Sequence, residues 1–378
     1  MYFSSEQQLF RKNLREFIDQ EINPNIEKWE EEEHWPAHEI LKKMGDLGFL
    51  GITMDPEYGG QGLDHWFDLV FLEEMGHIRA GGVAVPITVQ THMATPALHR
   101  FGSDELKKKY LRPALAGDAV FAIGVSEPDA GSDVAGLRTT ARKVGDEYVI
   151  NGSKTFITNG AQADYVTLLA RTSDDPGHHS FSLFVVPTDT PGFSVSKKLK
   201  KMGWRCSDTA MLSFEDMKIP AANLIGEENA GFIYQMQQFQ HERLTVASSY
   251  IMANEVLEET TQYLRDRKAF GKPLISKQVL RHRLAEMHSE VETIKHLVYH
   301  CVRLMEAGQD ATLEISMAKY RGARMAKRVI DECLQMYGGN GYIEEYPICR
   351  AYRDVRVMTI GGGSDEIMLE IIGKLKGL

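Results

Sequence analysis

Cysteine is scarce in this 378-residue chain: the four present, Cys206, Cys301, Cys333 and Cys349, are far apart and form no C-x-x-C pair. Neither a zinc site nor a disulfide framework is indicated, and a reducing compartment is expected. Apolar runs are short as well, and none approaches the roughly 18 residues that a membrane-spanning helix needs. The opening stretch MYFSSEQQLFRKNLREF is amphipathic and carries an acid early, unlike a secretory signal, so a bacterial cytoplasmic location is expected. Bases are outnumbered by acids, 43 to 53, and the formal charge of -10 argues against nucleic acid as a partner. Clusters such as Lys197-Lys198 and Lys200-Lys201 fit either a phosphate contact or a solvated strand edge. No internal repeat or low-complexity segment occurs. No G-x-G-x-x-G follows a strand and opens a helix, because the Gly clusters at 338–341 and 361–363 lack that spacing. A Rossmann nucleotide site is therefore unsupported.

The chain is longer than one core usually supports, so two or three domains are expected. From Ser4 to about Gly117 the pattern is helical: Leu9, Phe10, Leu14, Phe17 and Ile18 recur at three- and four-residue intervals, and a second helix is predicted near Pro36 to Leu47. GITMDPEYGGQGLD (51–64) reads as a Gly-rich loop between helices. Short β-like runs, YVING, YVTLLAR, FSLFVVP and AMLSFEDMKIP, follow between Val120 and Gly226, separated by Gly, Pro, Asp and Ser. The rhythm predicts an antiparallel sheet or small barrel. Long helices return over Glu228 to Arg265, Lys277 to Ala307, Ala311 to Tyr337 and Asp365 to Lys376, enough for an antiparallel bundle. The expected fold is α+β: an N-terminal helical domain (1–119), a central antiparallel β-domain (120–226) and a C-terminal four-helix bundle (227–378).

One stretch organises the reading, FAIGVSEPDAGSDVAGLRTTARKVGDEYVINGSKTFITNG (121–160). Small residues at 130–132 let backbone N–H groups approach a flat or anionic ligand, and Ser126, Ser132 and Thr158 offer hydroxyls. Pro, Gly, Ser and Asp also build ordinary turns, and singly these pieces do not separate the two readings. Together, VSEPDAGSD (125–133), TFITNG (155–160), RKAFGKPL (267–274), QMYGGNGYIEEYP (335–347) and IGGGSDEIMLEIIG (360–373) resemble the acyl-CoA dehydrogenase family, in family order and across nearly the whole chain.

One acid stands out on the first long C-terminal helix. Phe239, Val246, Tyr250, Ala253 and Leu257 form an apolar stripe, and Glu242 falls within it. Burial raises a carboxylate pKa toward neutrality, as a base removing a proton beside a thioester requires; a Glu satisfied by a buried Arg or a helix end fits the stripe equally. His241, the neighbouring alternative, lies off the stripe. Most members of the resembled family carry the base near the C-terminus, where this chain has Gly362. Its long-chain and isovaleryl-CoA branches place it instead in a Glu-Arg-Leu context, matched here by Glu242-Arg243-Leu244. The interval from Glu242 to Arg267 is one residue shorter than in those branches, and removing one residue from a helix rotates its C-terminal remainder by about 100°.

The same resemblance implies FAD as cofactor. Val125, Ser126, Phe156 and Thr158 match positions that line the isoalloxazine ring, and Ser132 one between flavin and the CoA arm. Arg267 and Phe270 match residues that reach the FAD diphosphate and adenine in a neighbouring subunit. Gln278, Gln335, Gly338 and Gly339 match further contacts across that boundary, while Ser364 and Glu366 match contacts near the adenosine. A homotetramer is implied. Arg267 near a helix end and Gly338-Gly339 as a helix stop also have purely structural readings. Phe239, Arg243, Gly362 and Gly363 border the implied substrate site, with Arg243 equally suited to a surface salt bridge. The implied reaction is α,β-dehydrogenation of an acyl-CoA to the trans-2-enoyl-CoA. Glu242 takes the α-proton, hydride goes to flavin N5, and electrons pass on to an electron-transfer flavoprotein. The missing side chain at 362 leaves room for a branched or longer acyl group, and the closing stretch is similar to citronellyl-CoA-type dehydrogenases. An acyl-CoA oxidase and a non-catalytic flavin or acyl-CoA binding relative are the alternatives.

Overall fold

The computed structural model describes residues 2–175 and 177–378, and the chain runs helices, strands, helices. Helix α1 (Ser5–Phe17) starts at a capping box in which the Ser4 and Gln7 side chains each accept from the other's backbone N–H. Its stripe buries Leu14, Phe17 and the adjoining Ile18, but Leu9 is 59% exposed. At 100° per residue Leu9 lies about 140° from Leu14 and so falls off the buried face. Helix α2 (Ala37–Asp46) buries Ile40, Leu41 and Met44. Helix α3 (His65–Met75), capped by Asp64, is apolar all round except for His65, Asp68 and the buried Glu73 and Glu74.

The C-terminal part holds α4 (Gly231–Glu242), α5 (Ala247–Asp266), α6 (Gln278–Glu306), α7 (Thr312–Tyr337), α8 (Pro347–Val355) and α9 (Asp365–Lys376). Two features depart from the expected helices. The first is not continuous but broken by a 3-10 turn at Arg243–Val246, and the short α8 was not anticipated. The N- and C-terminal helices share one hydrophobic core, in which Leu14, Leu41 and Phe71 pack in a single cluster with Tyr250, Ile294 and Val329. Buried acids tie its seam. Glu73 accepts from Tyr250 Oη at 2.5 Å, Tyr299 Oη at 2.9 Å and Arg11, while Glu74 takes Arg11 at 3.1 Å and Arg15 at 2.6 Å. Every buried charge there is partnered, as burial demands.

Between the helical parts lies one sheet of β1 (Phe121–Gly124), β2 (Thr140–Val144), β3 (Glu147–Thr158), β4 (Tyr165–Arg171), β5 (Phe181–Pro187), β6 (Phe193–Lys198), β7 (Thr209–Pro220) and β8 (Leu224–Ile225). Its order is β6-β7-β3-β2-β4-β5-β8, with β1 also beside β4. Pairing is antiparallel except that β1 meets β4 in parallel and β2 touches β4 in parallel at Thr140 and Arg171. The β2–β3 hairpin intervenes in sequence and supplies the crossover that parallel neighbours need. One apolar layer joins the sheet to the helices of 89–115, through Phe121, Leu169, Phe181 and Leu183 against Leu98, Tyr110 and Leu111. Gln90 fixes this junction by donating to Ala114 O and Ala119 O and accepting from Phe121 N. Asn159, closing TFITNG, donates to Pro86 O and Phe121 O.

Candidate active site

Glu242 is the last residue of α4, and the stripe that carries it packs inward: Val246, Tyr250, Ala253 and Leu257 are buried, and Glu242 itself is 7% exposed. Phe239, one turn earlier, is half-buried. Among the described residues none donates a hydrogen bond to the Glu242 carboxylate. Burial pushes its pKa up to about 7, against the opposing charges of Arg243 and Lys319. A 3-10 turn, Arg243–Val246, follows directly, and its four residues at about 120° rather than 100° each add roughly 80° of rotation to what comes after. The His241 side chain lies outside the described residues.

Across from Glu242 stands the turn 360–363 between α8 and α9. Gly362 has φ +63°, and a Cβ built on it would sit 3.6 Å from Glu242 Oε1 and 4.0 Å from Lys319 Cε. The two sequence positions weighed for the base therefore meet in space. Gly363, φ +90°, lies where a Cβ would strike Met368 Cε at 2.6 Å and approach Arg243 Nε to 3.7 Å. Arg243 is not a surface ion-pair residue; it is 8% exposed, and its Nε is buried without a hydrogen-bond partner. Lys319, on the buried face of α7, was not anticipated. Its ammonium donates to Met358 O at 2.8 Å, Gly361 O at 2.9 Å and Gly363 O at 2.5 Å.

A second group gathers at the β-domain. Lys154, fully buried in β3, donates to Val125 O at 2.9 Å and pairs with Glu127 at 2.8 Å; Glu127 also accepts the N–H groups of Arg138 and Thr139. Thr155 N donates to Ser126 O. These bonds clamp the loop 125–139 against β3, placing Val125 and Ser126 beside the end of β3 that carries Phe156 and Thr158. Phe156 has φ +62° and is 70% exposed, turned out by the register shift between Lys154 and Ile157. A bulky residue in left-handed backbone is costly and is kept only where surrounding structure over-determines it. Ser132 lies at the exposed tip of the loop.

The third group lies elsewhere. Arg267 caps the far end of α5, 25 residues and about 38 Å of helix beyond Glu242. It opens the hairpin of β9 (Lys268–Ala269) and β10 (Lys272–Pro273), whose turn residue Phe270 is 94% exposed with φ +52°. Tyr263 joins this end to that of α7, stacking on Tyr337 and accepting from Asn340. Gln278, Gln335, Gly338 and Gly339 are all exposed there, and a Cβ on either glycine would meet nothing within 4 Å. Gly338 also stops α7, with φ +62°. Arg267 has no ion-pair partner among the described residues. Ser364 caps α9 by accepting from Ile367 N, and the exposed Glu366 carboxyl is held below its usual range by its own backbone N–H and by Ser364.

Three family models match in order: "Acyl-CoA dehydrogenase, N-terminal domain" over residues 4–118, "middle domain" over 122–217 and "C-terminal domain" over 229–376. The chain belongs to the acyl-CoA dehydrogenase family. It is 39% identical over 375 residues to the mitochondrial long-chain specific acyl-CoA dehydrogenase of Sus scrofa, covering 98% of this chain and 86% of that one. It is 36% identical to the caffeyl-CoA reductase-Etf complex subunit CarC of Acetobacterium woodii, covering 98% of each. A probable acyl-CoA dehydrogenase of Mycobacterium abscessus superposes with TM-score 0.96 at 41% identity, covering 100% of both chains. A glutaryl-CoA dehydrogenase of Mycobacterium smegmatis in complex with FADH2 superposes with TM-score 0.92 at 31% identity, covering 100% of this chain and 96% of that one.

As a member of the acyl-CoA dehydrogenase family this chain is an FAD-dependent oxidoreductase. Its residues fit the cofactor. Phe156 offers an exposed aromatic face on backbone held in left-handed conformation, and the glycines of 338–339 leave open space where any side chain would stand. No group of three or more metal-ligating side chains occurs among the described residues, and Cys206, Cys301, Cys333 and Cys349 are free thiols. No described helix is long and apolar enough to cross a membrane. The Gly-rich loop residues 51–55 do line a cavity of about 480 Å³, together with Gln237 and Gln238 of α4, but Glu242 is not part of its wall.

Proposed function

We propose that this chain dehydrogenates an acyl-CoA thioester at its α and β carbons, with Glu242 as the base. The observation that carries the reading is the meeting of a buried, proton-accepting carboxylate with Gly362: the carboxylate faces a position of the turn that bears no side chain. A pKa near 7 leaves a carboxylate basic enough to take the α-proton while a good part of it is ionised near neutral pH. The Gly362 N–H, which binds no described residue, is the donor for the thioester oxygen, stabilising negative charge there as the α-proton leaves. Arg243 and Lys319 add positive charge beside the same spot. Val125, Ser126, Phe156 and Thr158 would hold the flavin ring, and Arg267, Phe270, Gln278, Gln335, Gly338 and Gly339 the far part of FAD from a neighbouring subunit, with Ser364 and Glu366 near the adenosine. Ser132, Phe239, Arg243 and Gly363 border the substrate. Bound FAD supplies the acceptor for the β-hydrogen as hydride, so proton and hydride together account for both hydrogens and leave the trans-2-enoyl-CoA.

The length of about 38 Å of helix between Glu242 and Arg267 supports a homotetramer, since one subunit offers the two sets far apart. An electron-transfer flavoprotein as electron acceptor is supported by the Etf-complex relative, and a longer or branched acyl group by the open side at Gly362. A cytoplasmic, bacterial setting agrees with the unpaired cysteines. The test is an anaerobic titration of the yellow protein with short, long and methyl-branched acyl-CoAs, tracking the flavin band in wild type and in Glu242→Gln. Bleaching by one acyl-CoA in wild type and its loss in a variant that stays yellow are expected. Unchanged bleaching in Glu242→Gln overturns the assignment of the base.

A further inference from the structure

Lys319 is a buried lysine that spends all its donors on one turn. An ammonium has three N–H groups, and here each meets a carbonyl, of Met358, Gly361 and Gly363. These carbonyls flank Gly362 on both sides. The peptide unit joining Gly361 to Gly362 is planar and trans, so its C=O and N–H point in opposite directions. With the Gly361 carbonyl drawn to Lys319, the Gly362 N–H must face away from the ammonium, toward the open side of the turn. That N–H donates to no described residue, although Ile360 N and Gly361 N on the same turn both bond Val357 O.

We propose that Lys319 is a positioning residue that aims the Gly362 N–H at the thioester oxygen and holds it there before substrate arrives. This rests on the dehydrogenase reading above. A turn with two successive glycines at positive φ has many conformations open to it, and three bonds to one buried group select one. The charge has a second effect, because Lys319 Cε and Glu242 Oε1 lie within 4.0 Å and 3.6 Å of the same point at Gly362. The ammonium therefore favours the ionised base and the enolate-like charge alike. The other charges facing it are Glu242 and Arg243 from the α4–α5 junction and Asp365 of α9, which sits 3.6 Å from Arg324. Burial draws the Lys319 pKa down to about 8, so it remains mostly charged at neutral pH.

A 3-thiaacyl-CoA tests this without turnover: sulfur replaces the β-carbon, so no β-hydrogen is available, while the α-proton can still leave. Its ionisation on the holoenzyme, monitored by absorbance across pH, reads how well the site stabilises the oxyanion. Lys319→Met is expected to raise the apparent pKa of the bound analogue by about one to two units and lower kcat by about ten- to a hundredfold, with KM little changed. Lys319→Gln, which keeps N–H donors but not the charge, should fall between wild type and Lys319→Met. Melting temperature and FAD content control for folding, and should Lys319→Met not fold, Lys319→Gln decides. Ionisation of the bound analogue unchanged from wild type overturns the proposal. Failure of the base reading is separate, since it shows as bleaching retained in Glu242→Gln.

Discussion

Replacing Glu242 by Gln should make the protein more stable at alkaline pH and progressively less so as pH falls. The folded state raises the Glu242 pKa from 4.5 to about 7, chiefly by burial. A raised carboxyl pKa means that the folded protein binds this proton more tightly than the unfolded chain does. The stabilisation is complete below pH 4.5 and is lost as pH rises through 7. The difference of about 2.5 units corresponds to about 3 kcal/mol, because the residue is nearly fully enclosed and little is lost to solvent screening. Gln cannot titrate, so the variant lacks this slope. Other perturbed groups, such as Asp354, which burial pushes up to about 6, titrate alike in both proteins and cancel. Melting curves of wild type and variant, at equal FAD occupancy from about pH 5 to 8.5, are the assay. The variant's advantage in Tm should grow by roughly 3 to 6 °C across that range. A difference in Tm that stays constant with pH would refute the buried-carboxylate argument, whatever the variant's activity.

Three further outcomes are expected. The rate of flavin bleaching by saturating substrate should fall as pH drops through about 7, and a flat profile from about pH 6 to 8 would speak against Glu242. Lys154→Met leaves the Glu127 carboxylate buried without its cation, which should cost about 3 kcal/mol or more in chemical denaturation and release FAD; adding Glu127→Gln should recover part of the loss. Gly362→Glu introduced into Glu242→Gln should restore measurable bleaching, because both positions reach the same volume, at a backbone cost of about 1 kcal/mol for a side chain at φ +63°. No activity above the single variant would separate the two positions functionally.

The order of helices, strands and helices was legible because hydrophobic periods of about 3.6 and 2 differ sharply over long stretches. Glu242 was legible for the same reason: an acid in an apolar stripe is conspicuous. Lys154 was not, because the period-2 rule fails in β3. Register shifts at Ile150/Gly152 and Lys154/Ile157 turn Lys154 and Thr155 both inward and Phe156 out. Lys319 lies on the same helical face as Ile315, Ala318 and Gly322, a pattern visible in sequence, but its acceptors are carbonyls some 40 residues later, and carbonyls leave no trace in side-chain identity. The 3-10 turn after Glu242 is silent too, since Arg243-Leu244-Thr245-Val246 would serve equally in a continuous helix.

The glycine at 362 and the glutamate at 242 are best understood as one choice. A Cβ at 362 would stand in ordinary contact with the Glu242 carboxylate, but a longer side chain extended from it would compete for the same volume. A base can therefore enter this space from the turn or from α4, and the two residues exclude each other by volume and by like charge. What does not depend on that choice is the backbone of the turn, which Lys319 fixes through Met358, Gly361 and Gly363. A donor for the thioester oxygen made from main chain survives replacement of the side chain it carries. On the proposed assignment of Glu242, the base is free to change position while the charge-stabilising half of the site stays where it is.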